Sequence, residues 1–154
     1  MLEQLLPRRV DNDYRGHKLA LWLFGLVVFM KLAIGVNSIF NGRSVASSAD
    51  GIPLDTYTPA GARAFVTQFA LLGLAHFVMG LLCVLVLVRY RTLVPLMFAL
   101  LLLEHLGKRL ILQFLPIDRT GTPPGCAINI VLLALMVAGL ALSLWSRDEP
   151  PARE

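Results

Sequence analysis

Glu104, His105, Lys108 and Arg109 are four ionisable residues placed close together in an apolar stretch of the sequence. The stretch, residues 93–115, has about the length of a membrane-spanning helix. A charged side chain at the centre of a bilayer costs about 2.5–3.5 kcal/mol on insertion scales, so such residues normally face the interior of a helix bundle and have a partner there. The spacing of Glu104 and Lys108, with the acid four residues before the base, favours an ion pair on one helix. The sequence therefore predicts a polar site inside a membrane domain.

Two further ionisable residues lie in other apolar stretches of the chain. Lys31 lies just past the centre of the first stretch and His76 at the centre of the second, so both are expected at about the depth of Glu104. His76 shares a helical stripe with Gly73 and Gly80, and small residues on a membrane helix mark the side where a neighbouring backbone comes close. His76 is therefore expected on the packed side of its helix. The full set of predicted ligand-binding residues is Lys31, His76, Glu104, His105, Lys108, Arg109 and Gln113.

Four apolar runs position these residues. The chain of 154 residues is 56% hydrophobic and has a mean hydropathy of +0.70, and runs of about 20 apolar residues are typical of membrane spans. The predicted spans are residues 19–40, 62–88, 93–115 and 126–145, within one membrane domain that covers residues 1–154. We expect an all-α fold, namely an antiparallel four-helix transmembrane bundle. Cys83 and Cys126 are expected at opposite heights, so no disulfide is predicted.

The basic residues are distributed unevenly between the two sides of the predicted membrane domain. Eight of the 14 lie before the first span, between the second and third, or after the fourth, and these are Arg8, Arg9, Arg15, Lys18, Arg89, Arg91, Arg147 and Arg153. Three lie toward the opposite side, at Arg43, Arg63 and Arg119. The positive-inside rule then predicts that both termini are cytoplasmic, which in a bacterium means a multi-pass protein of the inner membrane. This topology accounts for the net charge of +4, so nucleic acid is not an expected partner.

The charges of the predicted site do not balance. Lys31, Lys108 and Arg109 accompany one carboxylate, Glu104, which leaves a charge of +2 when the histidines are neutral. One interpretation is structural: Glu104 pairs with Lys108 or Lys31 and holds the helices together. An excess of buried positive charge also favours an anion, so we expect a central charged cavity that binds an anionic lipid or a small anion, or that docks the protein in a membrane complex. The expected partners are the lipid bilayer and either another membrane protein or a second copy of the chain.

Two alternative functions use the histidines. His76 and His105 are central on neighbouring helices, and two such histidines can ligate one haem b axially. A quinone bound by His105 and Arg109 is a related redox alternative. Glu104 with either histidine could also relay protons, as carboxylate and histidine chains do in proton-coupled carriers. Outside these alternatives, the sequence predicts no cofactor and no metal.

Motifs of the common enzyme classes are absent from the sequence. It contains no Ser-His-Asp, HExxH, P-loop or GxGxxG pattern, so we assign no catalytic residue and expect a protein that is not an enzyme. In length and layout, the chain resembles small four-span bacterial membrane proteins of the DoxX-like kind. The resemblance rests on the layout alone, and no functional residue is carried over from it.

Overall fold

The computed structural model describes residues 10–14, 16–121 and 123–145, and these residues are helical or irregular, with no β-strand among them. Four long helices follow in chain order: α1 (Lys18–Phe40), α2 (Pro59–Arg89), α3 (Val94–Phe114) and α4 (Pro124–Leu144). Each overlaps one of the four predicted spans. Five of the basic residues that predict the orientation lie outside the described part of the chain, namely Arg8, Arg9, Arg15, Arg147 and Arg153.

Three of the long helices, α1, α2 and α4, are long and apolar enough to cross a membrane. The fourth, α3, has 21 residues, as many as α4, but carries charged residues in its second half. The prediction of an all-α fold is therefore confirmed for the described residues, and three of the helices could span a membrane by length and composition.

Side chains and prolines at the helix starts explain where α1 and α2 begin. Thr58 Oγ1 accepts a hydrogen bond from Gly61 N at 3.1 Å, and Pro59 occupies the first turn, where its missing N–H is not needed. At the start of α1, His17 Nδ1 accepts from Leu19 N at 3.2 Å. Both contacts satisfy backbone donors that have no partner inside the helix.

Close contact between the backbones of α1 and α2 depends on glycine. A Cβ atom added to Gly35 would lie 3.0 Å from Gly73 O and 2.9 Å from Phe77 N. Reciprocally, a Cβ atom on Gly73 would lie 3.0 Å from Gly35 O. A side chain at either position would meet backbone atoms of the other helix, and at Gly73 it would also meet the Cβ atom of Ser38, so the two helices can approach only with glycine here. The predicted packed stripe of α2 therefore does face a neighbour, which is α1.

The apolar core lies toward one end of the molecule, at the start of α1 and α3. Phe24 and Phe98 make an edge-to-face contact with ring centroids 5.1 Å apart, and the Phe98 ring rests against Gly139 of α4. The buried residues of α3 are Val94, Pro95, Met97, Phe98 and Leu101. In the described part of α3, no residue after Leu101 is buried, so the second half of this helix is not packed into the core.

The two loops at the other end of the molecule contact each other. Residues between α1 and α2 form a short helical turn (Gly42–Ser44), a π-helical turn (Val45–Ala49) and a 3₁₀ turn (Leu54–Thr56). Thr120, in the loop after α3, donates from its backbone N (2.8 Å) and from Oγ1 (3.1 Å) to the carbonyl oxygen of Gly51. Burial raises the pKa of the nearby Asp50, an effect that the charge of Arg119 opposes.

Candidate functional site

Glu104 lies at the centre of a group of four ionisable side chains, which we call the polar cluster: Lys31, His76, Glu104 and Lys108. Lys31 Nζ, on α1, donates to Glu104 Oε2 at 2.7 Å. Glu104 Oε1 accepts from Lys108 Nζ at 2.5 Å and lies 3.1 Å from His76 Nε2, on α2. Lys108 Nζ also contacts His76 Nε2. Three helices therefore converge on one carboxylate, and each of its oxygens has a cationic partner.

Helical spacing and close helix packing bring these side chains together. Glu104 and Lys108 are four residues apart on α3, so they lie one above the other on the same face. His76 is three residues after Gly73 on α2, so it lies on the side that packs against α1. Lys31 is four residues before Gly35, whose backbone approaches α2 most closely. The glycine contact between α1 and α2 therefore places Lys31 and His76 near each other and next to α3.

Exposure increases across the polar cluster from α1 toward α3. The exposed fraction of the side chain is 7% for Lys31 and 13% for His76, but 27% for Glu104 and 36% for Lys108. The helices α2 and α3 approach each other at few positions, whereas α1 packs along both α2 and α4. The accessible side of the cluster therefore belongs to α3, where the second half of that helix leaves the core.

The polar cluster carries more positive than negative charge. With His76 neutral, the two ammonium groups and one carboxylate sum to +1. When the proton of neutral His76 is on Nδ1, Nε2 is free to accept from Lys108. Lys31 then uses one of its N–H bonds and Lys108 uses two, since an ammonium group has three. N–H donors on both lysines are left for another acceptor.

From the sequence, Lys31 and Lys108 are predicted as alternative partners of Glu104. The structure has both at once, with one lysine on each carboxylate oxygen. His76 was expected on the packed side of α2, but its contact with Lys108 was not predicted. Spacing within one helix revealed the Glu104–Lys108 pair, whereas the contacts of Lys31 and His76 depend on helix rotations that spacing does not define.

Three of the predicted site residues are not part of the polar cluster. His105 is half-buried, and Arg109 and Gln113 are exposed. Among the described residues, none of these three side chains makes a hydrogen bond or an ion pair. Their spacing of four residues places them on a neighbouring stripe of α3. The charge of +2 expected for the whole set is therefore divided between +1 in the polar cluster and +1 on the exposed Arg109.

The two histidines of the haem hypothesis have different surroundings. His76 Nε2 contacts Lys108 and lies 3.1 Å from Glu104, so this nitrogen is already in use. His105 is on the neighbouring stripe of α3, away from the contacts of Glu104. Within the described parts of the chain, no group of three or more His, Cys, Asp or Glu residues could hold a metal ion.

Tyr14 is a partly buried residue with a fully buried hydroxyl, and no sequence pattern marked it. Its hydroxyl has no hydrogen-bond partner among the described residues, and burial raises its pKa to about 12. The residue precedes α1. The nearby His17 N donates to Leu142 O at 3.2 Å, which holds this segment next to the end of α4. The preceding segment is fixed to the α2–α3 turn by hydrogen bonds between Asp11 and Thr92. Tyr14 therefore lies in a packed cap at the end of the helices.

These observations define a class of protein: an all-helical chain with at least three helices able to cross a membrane, in which ionisable groups from three helices meet. Comparisons with protein-family models, with curated proteins and with solved structures found no match for this chain. Its function must therefore be argued from its own residues.

Proposed function

We propose that the chain forms an antiparallel four-helix transmembrane bundle with both termini in the cytoplasm, in a bacterium a protein of the inner membrane. Three apolar helices support this, and α3 is long enough as well, because 21 residues at about 1.5 Å per residue approach the thickness of the hydrocarbon core. The contacts of Glu104 and Lys108 with α1 and α2 lower the cost of placing these charges in α3. The distribution of basic residues supports the orientation.

The proposed activity of this bundle is to bind the anionic headgroup of a lipid at the polar cluster. The observation that carries the proposal is the unbalanced charge, because two lysines meet a single carboxylate. A cation without a counter-charge inside a membrane is costly, and an anion that accepts from the free N–H donors would remove this cost. Lys31 and Lys108 would bind the anion, while Glu104 and His76 would hold them in place.

The unpacked half of α3 provides a route for such a ligand. Since no described residue of α3 after Leu101 is buried, a lipid can reach Lys108 from the side, between α2 and α3. Arg109 and Gln113 are exposed along this half and lie nearer the outer surface in the proposed topology. Arg109 is about 7 Å along the axis from the end of α3, so its long side chain can extend to the headgroup region.

Native mass spectrometry of the protein purified in a mild, uncharged detergent tests the proposal. We expect the wild type to retain anionic phospholipids and the double variant Lys108→Met with Arg109→Gln to lose them. A matched control removes two exposed cations at the opposite end of the molecule, Lys18→Gln with Arg89→Gln, and should retain the lipids. Retention by the first double variant at wild-type occupancy, with both variants folded, would show that the proposal is wrong. Retention of a stoichiometric protein instead of lipid would favour docking in a membrane complex.

A proton-coupled carrier is the second candidate, favoured by one observation. Lys108 Nζ, His76 Nε2 and Glu104 Oε1 contact one another, so a proton can move between them without crossing apolar space. Proteoliposomes loaded with a pH-sensitive dye test this candidate: proton uptake that His76→Gln abolishes would support it. The redox alternative, with haem b or a quinone, requires an absorption band of the bound group in the purified protein.

A further inference from the structure

We propose that the polar cluster accepts one monoanionic group and that Glu104 sets this number. The inference rests on the proposed function, since it specifies which anionic headgroups the same site selects. Lys31, Lys108 and Glu104 sum to +1 with His76 neutral. One negative charge therefore makes the occupied cluster neutral. Neutrality is the favourable state at the middle of a membrane helix, where water cannot screen a net charge.

The hydrogen bonds within the polar cluster leave donors, but no acceptors, for such a group. Both oxygens of Glu104 accept from lysine, and His76 Nε2 contacts Lys108, so these acceptors and this nitrogen are occupied. The donors left for a ligand are N–H bonds of Lys31 and Lys108. A phosphodiester has one negative charge, which matches the net charge of the cluster, and two free oxygens, one for each lysine.

A phosphomonoester has a different charge. It carries about −1.5 to −2 at pH 7, so its second charge would be unanswered in the polar cluster. Arg109 is the nearest cation in sequence, but it is exposed on the neighbouring stripe and makes no hydrogen bond with the described residues of the cluster. The site should therefore select phosphodiester lipids whose headgroup has a net charge of −1 over phosphomonoester lipids and over zwitterionic phosphodiester lipids.

Lipid titration of the full-length, delipidated protein tests the selection. The probes are phosphatidylglycerol, phosphatidic acid and the zwitterionic phosphatidylcholine with identical acyl chains, and occupancy is measured by native mass spectrometry at neutral pH. We expect the wild type to bind phosphatidylglycerol about tenfold more tightly than the other two, because a unit of unanswered charge nearby is costly at low dielectric.

Charge variants give the decisive comparison. Glu104→Gln raises the charge of the cluster to +2 and should reverse the preference toward phosphatidic acid. Lys108→Met lowers the charge to zero and should bind both anionic lipids no better than phosphatidylcholine. The double variant Glu104→Gln with Lys108→Met has +1 again and should recover the preference for phosphatidylglycerol. A purely structural role of Glu104 predicts no such recovery.

The results separate the inference from the proposed function. If the wild type binds phosphatidic acid as tightly as phosphatidylglycerol, and both more tightly than phosphatidylcholine, the inference is wrong and the proposed function is supported. If neither anionic lipid binds more tightly than phosphatidylcholine, the proposed function is wrong. If Glu104→Gln alone does not fold, Lys108→Met and the double variant still test the inference. Failure of the double variant to recover the preference for phosphatidylglycerol overturns it.

Discussion

Lys31 on α1 donates to Glu104 on α3 at 2.7 Å, across a separation of 73 residues in sequence. The Lys31 side chain is almost completely buried, so the Glu104 carboxylate is the counter-charge that offsets the cost of its burial. The same carboxylate contacts His76 and Lys108, so loss of Glu104 would affect three helices at once. The stability of the helix arrangement and the charge of the proposed binding site therefore depend on one residue.

Replacement of Glu104 by Gln should destabilise the protein. Breaking a buried ion pair by removal of one partner costs about 3–5 kcal/mol, because the other charge is left buried and unanswered. Since 27% of the Glu104 side chain is exposed, we expect a loss near the lower end of that range. The free energy of unfolding in mixed micelles, followed by the loss of helical circular dichroism, measures this change.

The matched control for this variant is Asp55→Asn. Asp55 pairs with Arg43 at 3.5 Å in the loop between α1 and α2, and its side chain is 97% exposed. Surface pairs of this kind contribute about 0–1 kcal/mol, so little change is expected. Equal stability losses for Asp55→Asn and Glu104→Gln would contradict the central structural role of Glu104.

Much of the architecture could be predicted from the sequence, because apolar runs of span length and an i,i+4 acid–base pair are local signals. The positions of the helices and the pairing of Glu104 with Lys108 are of this kind. The separation of Arg109 from the polar cluster could not be predicted, since a rotation of α3 by a fraction of a turn decides which stripe faces α2. The burial of Tyr14 also had no local signal, because it depends on the path of the segment before α1 across the end of the helices.

Substitution of Gly35 by Ala should separate α1 from α2. The new Cβ atom would lie within 3.0 Å of backbone atoms of α2, which cannot move aside as a flexible side chain can. Overpacking of this kind typically costs about 1–3 kcal/mol. The loss should appear in the free energy of unfolding, together with weaker lipid retention, because Lys31 and His76 would move apart.

The matched control is Gly107→Ala on α3. A Cβ atom at Gly107 would meet nothing within 4 Å, and Ala favours a helix over Gly by about 1 kcal/mol. This variant should therefore be as stable as the wild type or more stable. A destabilised Gly107→Ala with an unaffected Gly35→Ala would contradict the helix contacts described above.

Stability should fall at alkaline pH because of Tyr14. Its pKa is raised from 10.0 to about 12 by burial, so the folded state holds the phenolic proton more tightly than the unfolded state does. The contribution of this proton to stability is complete below pH 10 and is lost as the pH rises from 10 toward 12. Thermal unfolding as a function of pH measures this effect, and Tyr14→Phe should be less sensitive in this range than the wild type.

The Tyr14→Phe variant should also be more stable at neutral pH. It removes a buried hydroxyl that has no partner among the described residues, and an unsatisfied buried group costs about 1–3 kcal/mol. The control is Tyr57→Phe in the exposed loop before α2, which should leave the stability and its pH dependence unchanged. Destabilisation by Tyr14→Phe would indicate that the hydroxyl has a partner.

Thr92→Val should loosen the segment that precedes α1. Thr92 Oγ1 accepts from Asp11 N at 3.1 Å and donates to Asp11 O at 2.9 Å, so the substitution removes two hydrogen bonds, each worth about 0.5–1.5 kcal/mol. Because these bonds are local, the segment and the first turn of α1 should open together more often while the rest of the helices stay folded, which increases the rate of tryptic cleavage at Lys18 by about tenfold. In the control Thr67→Val, the lost hydroxyl donates to Arg63 O within α2, so cleavage at Lys18 should continue at the wild-type rate. Equal cleavage rates for Thr92→Val and the wild type would show that the Asp11–Thr92 contact does not hold the segment in place.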